Sequence, residues 1–505
     1  MNLLSLVNLI LAPFLAIFVI VSPFISSKPK RVKNFSLIFS GLHLLYSLCL
    51  LIFFAPQDSG FAYQTEFTIF GKSWLEPLGI SFNFAVDSLS MSLVILSSLI
   101  FFLSIVISRN AICSKQKIYY AMMFLFESAI LGIFCSRDMF AFFFFWMLAL
   151  IPIYFLLSFW GEEKEGKNAM NFVIYSIVAG FFILFGTLCI YFSNLGTEIP
   201  LTGNIDLIDV GNSFYPQWFK YVMFACFFIG FGTKLPVVPF HNWLPNDIER
   251  AALPSTMLIS GILLNIGVYG LIRFNLQLFP EIFEYFAPYL VLWGCINVIY
   301  ATLRLIKETN LKRMGAYLAI FMTGTILTGL GSLSETGFQG AVFQMISLGI
   351  ILTSFMFIIG VFYLRTKSCE IDKMAGIGTN FPKLSVFFKI AFFSTVCIPG
   401  LISFPGWLMS VMGLYISDLN PKLSLTVTAV IFFALLIISC IFVATFKKIF
   451  SKETKNIIIV EKLSQSEIFV LSVLVFLIVF FGIFPMILFN FFDTSLYLIS
   501  SIWQV

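Results

Sequence analysis

The stretch GTKLPVVPFHNWLP, Gly232–Pro245, follows a long apolar run and breaks it. It sets Lys234 among residues that belong in oil, then adds Pro236, Pro239 and His241, one of two histidines in the chain. Proline inside a helix removes a backbone hydrogen bond and interrupts the helix. At membrane depth such a break survives only where protein or water surrounds the freed backbone. A charged amine at that depth costs a few kcal/mol or more, so its default reading is functional. The rest of the chain fits this setting. Its 505 residues are 60% hydrophobic and 11% charged, against about 25% charged in a soluble domain. Apolar stretches of about 20 residues recur from end to end, each long enough to cross a bilayer core. The sequence therefore predicts an all-α polytopic membrane protein, a single membrane domain over 1–505 with about fourteen transmembrane helices. The first stretch lacks the charged start and small-residue cleavage site of a secretory signal, so a retained helix is expected.

Two expected helices are irregular. The seventh, near 219–240, runs into Pro236 and Pro239. The twelfth, near 384–417, is too long for one crossing and contains Pro399, Gly400, Pro405 and Gly406. They fall in matching places of two five-helix stretches, 117–276 and 285–446, which predicts two inverted repeats with a site near the midplane. Basic residues crowd alternate loops, as in Lys28, Lys30, Arg31 and Lys33, while the other loops hold only Lys72, Arg137, Lys220, Arg273 and Lys422. That bias places the rich loops in the cytoplasm and both termini on the non-cytoplasmic side. The basic residues set topology and form no soluble patch, so the expected partner is a lipid bilayer and no nucleic acid. Nine cysteines lie singly, with no CxxC pair, and no GxGxxG occurs, so no metal or redox cofactor is expected. Asp87 and Asp138 sit near span ends and read as helix caps or interface residues.

The quoted stretch resembles the seventh-span signature of the antiporter-like subunits of respiratory complex I, NADH–quinone oxidoreductase, above all the chain M type. The resemblance covers nearly the whole chain. FAVDSLSM at Phe84–Met91 looks like that family's third-span opening, and Phe126–Trp146 with Leu150–Gly161 like its fourth and fifth spans. SGILLNIGVYGLIRF, Ser260–Phe274, resembles its eighth, and NLKRMGAY, Asn310–Tyr317, with GFQGAVFQM, Gly337–Met345, its tenth and eleventh. IPGLISFPG, Ile398–Gly406, resembles its broken twelfth. This implies a membrane-arm subunit of a proton-translocating oxidoreductase, in a bacterial inner membrane or an equivalent one, beside other membrane-arm subunits of complex I. Redox chemistry would belong to those partners. A subunit of a multi-subunit cation/proton antiporter, which shares fold and motifs, is the alternative.

The resemblance also implies a central row of buried titratable residues along which protons move. Lys234 fills the seventh-span lysine position. The fifth-span glutamate position falls at Met147, the eighth-span lysine at Asn265, and the tenth- and eleventh-span histidines at Met322 and Leu348. The twelfth-span charge falls at Trp407. A relay needs groups that gain and lose a proton near working pH, and none of these five replacements does. The remaining proton-path candidates are Lys234, Glu127 in the fourth span, expected as a substitute partner for the lysine, and His241. A scaffold-like, non-pumping subunit is the expectation.

Overall fold

The computed structural model describes residues 5–22, 25, 28–55, 61–69, 72–73, 80–112, 114–161, 167–193, 215–376, 378, 382–450 and 463–500. Long apolar runs become helices because only a helix satisfies each backbone group within its own segment in oil. Among the described residues, eleven helices are long and apolar enough to cross a membrane. The helices that matter to the site are α1 (Leu6–Val21), α2 (Pro29–Ile52), α3 (Ser88–Ala111), α4 (Gln116–Cys135), α5 (Met139–Trp160), α6 (Lys167–Ser193) and α7 (Gln217–Lys234). Then come α8 (Trp243–Arg250), α9 (Leu253–Leu276), α10 (Pro280–Lys307), α11 (Leu311–Gly331) and α12 (Glu335–Thr366). The chain closes with α13 (Pro382–Thr395), α14 (Ser403–Tyr415), α15 (Pro421–Phe450), α16 (Gln465–Ile483) and α17 (Met486–Ser500).

Both expected breaks are present. Helix α7 stops at Lys234 and helical structure resumes at Trp243; α13 stops at Thr395 and α14 begins at Ser403. The freed backbone is bonded by protein, as membrane depth requires. Val238 N donates to Asn297 Oδ1 at 2.9 Å, and Trp293 Nε1 donates to the Val238 carbonyl at 2.6 Å. At the second break Ile402 N donates to the Ile478 carbonyl at 3.0 Å, and Ser347 Oγ to the Ile402 carbonyl at 3.1 Å.

The chain divides into two units. One holds Met1–Leu235, Leu264–Phe283 and Tyr497–Val505; the other holds Pro236–Leu263 and Glu284–Leu496. In the first unit, α9 meets α7 through glycine. A Cβ on Gly267 would lie 2.7 Å from Leu235 N, and one on Gly270 2.2 Å from the Phe231 ring. Small residues at such a crossing let backbones approach closely. Helix α2 is polar inside and apolar outside. It buries Val32, Ser36, Ser40, His43, Ser47 and Leu50 and exposes Ile38, Leu42 and Leu45.

One element departs from the expected spans. Phe84–Met91 was expected to open the third span, but Phe82–Val86 is a strand, β3, antiparallel to β1 (Ala62–Ile69). Strand β1 also pairs with β2 (Lys72–Ser73). Helix α3 starts only at Ser88, because Asp87 caps it by accepting a bond from Ser90 N at 2.8 Å.

Candidate functional site

Lys234 is the last residue of α7, a basic side chain where the helix dipole is negative. It is 3% exposed. Its Nζ donates to Ser176 Oγ of α6 at 2.8 Å and lies 4.0 Å from the Phe172 ring centroid and 5.5 Å from that of Trp146. A cation over an aromatic face is attracted by the ring quadrupole, more so when desolvated. The amine is thus met by a hydroxyl and by rings.

Met147, where the resemblance implies a fifth-span glutamate, lies one residue beyond Trp146 on α5. Its sulfur and the Trp146 indole both press on Gly180 of α6, and Met147 lines an apolar groove of about 840 Å³ between α5 and α6. Asn265 is buried in α9 at 1% exposure, just past a π-helical turn at Ile259–Leu263. Such turns are frequent at functional sites. In the second unit Met322, Leu348 and Trp407 are buried, and the Trp407 ring stands edge-on to Phe432 at 5.0 Å. His241 is buried in that unit with its ring 4.4 Å from that of Tyr300.

Glu127 does not pair with Lys234. Its Oε1 lies 3.0 Å from Nδ1 of His43 on α2, and His43 Nε2 lies 3.0 Å from the Leu9 carbonyl of α1. Both side chains are almost fully buried. Next to Glu127, Ser128 Oγ donates to the Ile10 carbonyl at 2.7 Å, which ties α4 to α1. Sequence reasoning missed His43. The available signals were the polar stripe on α2 and Pro13 in α1.

Asp87 is more than the expected cap. Arg273 Nη2 sits 2.5 Å from its Oδ1 and 3.1 Å from Ser90 Oγ, and the guanidinium lies 5.1 Å from the Tyr269 ring. The loop arginine of the sequence reading is therefore one half of a buried ion pair. Asp138 is a cap as expected, accepting from Phe140 N at 2.8 Å and Ala141 N at 3.2 Å. It lies between two spans, and burial pushes its carboxyl up to about 6.

The family described as "NADH:quinone oxidoreductase/Mrp antiporter, TM" matches residues 136–432, more than half of the chain. An NAD(P)H-quinone oxidoreductase chain 4 of Trichormus variabilis is 38% identical over 345 residues, 68% of this chain and 63% of that one. That match spans less than two thirds of the relative's length. A second chain 4, from a Synechococcus species, is 33% identical over 475 residues, 92% of this chain and 86% of that one. Among solved structures, a chain of respiratory complex I from Thermus thermophilus superposes with a TM-score of 0.84 at 22% identity, over 99% of both chains. A chain of the Mrp complex from a Dietzia species reaches the same 0.84 at 16% identity, over 99% of this chain and 98% of that one. At such identities the structural likeness speaks for the fold, while the family match and the two relatives speak for descent. This multi-pass membrane chain is a member of the NADH:quinone oxidoreductase/Mrp antiporter transmembrane family.

Proposed function

We propose that this chain is a membrane-arm subunit of a proton-translocating NADH–quinone oxidoreductase, and that its own central proton row is interrupted. The relatives at 38% and 33% identity are named as chain 4 of NAD(P)H-quinone oxidoreductases, which supports the first half. One observation carries the second half. The row positions Asn265, Met322, Leu348 and Trp407 are buried without a titratable group, so a proton leaving Lys234 meets none of them as an acceptor. The inverted halves 117–276 and 285–446, an energy-transducing bacterial membrane and both termini on the non-cytoplasmic side belong to the same reading. Lys234, Glu127 and His241 are its proton-path candidates.

The test is affinity purification of the tagged chain in mild detergent, with identification of what comes with it. Other membrane-arm subunits of a quinone oxidoreductase support the proposal. A set of cation/proton antiporter subunits would replace it with the antiporter reading. A chain that runs alone in several mild detergents would defeat both.

A further inference from the structure

Pro13 lies inside α1. It has no N–H, so the carbonyl four residues before it, that of Leu9, loses its helical donor. A buried carbonyl without a donor is costly. His43 Nε2, at 3.0 Å, takes that place. A carbonyl only accepts, so Nε2 must carry a hydrogen, and this fixes the ring's orientation and tautomer. Nδ1 then faces Glu127 Oε1 at 3.0 Å. Two lone pairs at that distance repel, so one proton lies between them, whether drawn as imidazolium and carboxylate or as imidazole and carboxylic acid. In both drawings the pair is neutral overall. Phe39 stacks on the imidazole, with ring centroids 6.0 Å apart, and meets Phe124 edge-on at 5.0 Å. Apolar surroundings of this kind penalise net charge and favour keeping that one proton. The other carboxyl oxygen, Glu127 Oε2, is buried and has no hydrogen-bond partner among the described residues.

We propose that His43 and Glu127 form a proton-holding site, set by Pro13, that keeps one proton between Nδ1 and Oε1 in a pair that is neutral overall. The proposal deepens the reading of Glu127 as a proton-path candidate. It does not depend on which complex the chain joins, and co-purification tests that separately.

Other ionisable groups on the elements around α4 are few. Helix α1 and strand β3 have none, α3 has Arg109 at its end, α5 has Tyr154, and the 264–270 segment has Tyr269, bonded to the Phe134 carbonyl. Helix α2 adds Cys49, Tyr46, which donates to the Ser5 carbonyl, and basic residues at its start. On α4 itself are Lys117, Tyr119, Tyr120 and Cys135. Glu127 is the only carboxyl group within these elements, so it is the one there that can share the His43 proton.

The experiment uses the full chain, labelled with ¹⁵N-histidine, in lipid nanodiscs. With two histidines in the chain, a His43→Gln spectrum assigns the signals. The expected result is a protonated Nε2 at every pH, and an Nδ1 signal between the bare and protonated positions. Glu127→Gln moves that signal to the bare position at neutral pH. Pro13→Ala restores a helical donor to Leu9, and the Nε2 signal shifts with it. If Glu127→Gln does not fold, the unsubstituted chain still decides. A bare Nε2, or an Nδ1 at its free-imidazole position, would overturn the proposal.

Discussion

At the scale of single residues, Lys234 is the informative one. Its amine donates to the Ser176 hydroxyl and lies over the Phe172 ring. Ser176→Ala takes away an acceptor for a buried donor, which costs about 1–3 kcal/mol. The expected outcome is a lower thermal midpoint of the purified chain with its fold intact; an unchanged midpoint would show that the hydroxyl contributes nothing. Asp138 gives a second prediction, with a sign. Its folded-state carboxyl titrates at about 6, above about 3.9 for the unfolded chain. The folded state therefore binds more protons in between, and stability falls as pH rises from about 4 to about 6. Asp138→Asn keeps an oxygen acceptor for the cap without a titrating charge. Thermal midpoints measured across that window should slope downward for the unsubstituted chain and flatten in the variant.

At the scale of elements, two junctions govern stability. The Asp87–Arg273 pair joins the start of α3 to the end of α9 inside the first unit. Arg273→Met strands a buried carboxylate and should cost about 3–5 kcal/mol. Adding Asp87→Asn should recover much of that loss, because no unpaired charge remains. Equal loss in the single and double variants, read from thermal midpoints, would mean that packing rather than charge sets the cost. The α7–α9 crossing at Gly267 admits no Cβ without moving Leu235 backbone, so Gly267→Ala should cost about 1–3 kcal/mol. The two helix breaks were legible in the sequence because each has two prolines within a few residues, Pro236 with Pro239 and Pro399 with Pro405, whereas a lone proline such as Pro13 leaves its helix continuous. Lys234's burial was legible for a related reason, since its neighbours on both sides are apolar. Strand β3 was not. FNFAV at Phe82–Val86 merges with the apolar helix that follows, and only Asp87 marks the boundary. The partner of Glu127 was not legible either. His43 lies 84 residues away along the chain, and its second contact, Leu9, a further 34 residues from it. No local pattern carries pairings of that range.

At the scale of the whole molecule, helices differ in how much of themselves they hide. Helices α9, α11 and α12 are wholly buried in their most apolar windows, whereas α2 and α15 are only 28% buried. The exposed sides of α2 and α15 carry Ile38, Leu42, Leu45, Phe432, Phe433 and Leu436. Such faces suit acyl chains or neighbouring membrane subunits, as the proposed arm requires. Phenylalanine supplies 65 of the 505 residues, and much of it fills helix contacts, as in the cluster of Phe142, Phe227, Phe231 and Phe274 in the first unit. The central claim is that this subunit keeps the fold and the lysine of a proton-moving family but has lost the row beyond it. The direct measurement is protons pumped per electron in membranes carrying Lys234→Ala, at normal abundance of the assembled complex. The account predicts an unchanged ratio, with any defect confined to assembly or stability. A clear drop in the ratio with assembly intact would contradict it, and would place a working proton route through Lys234.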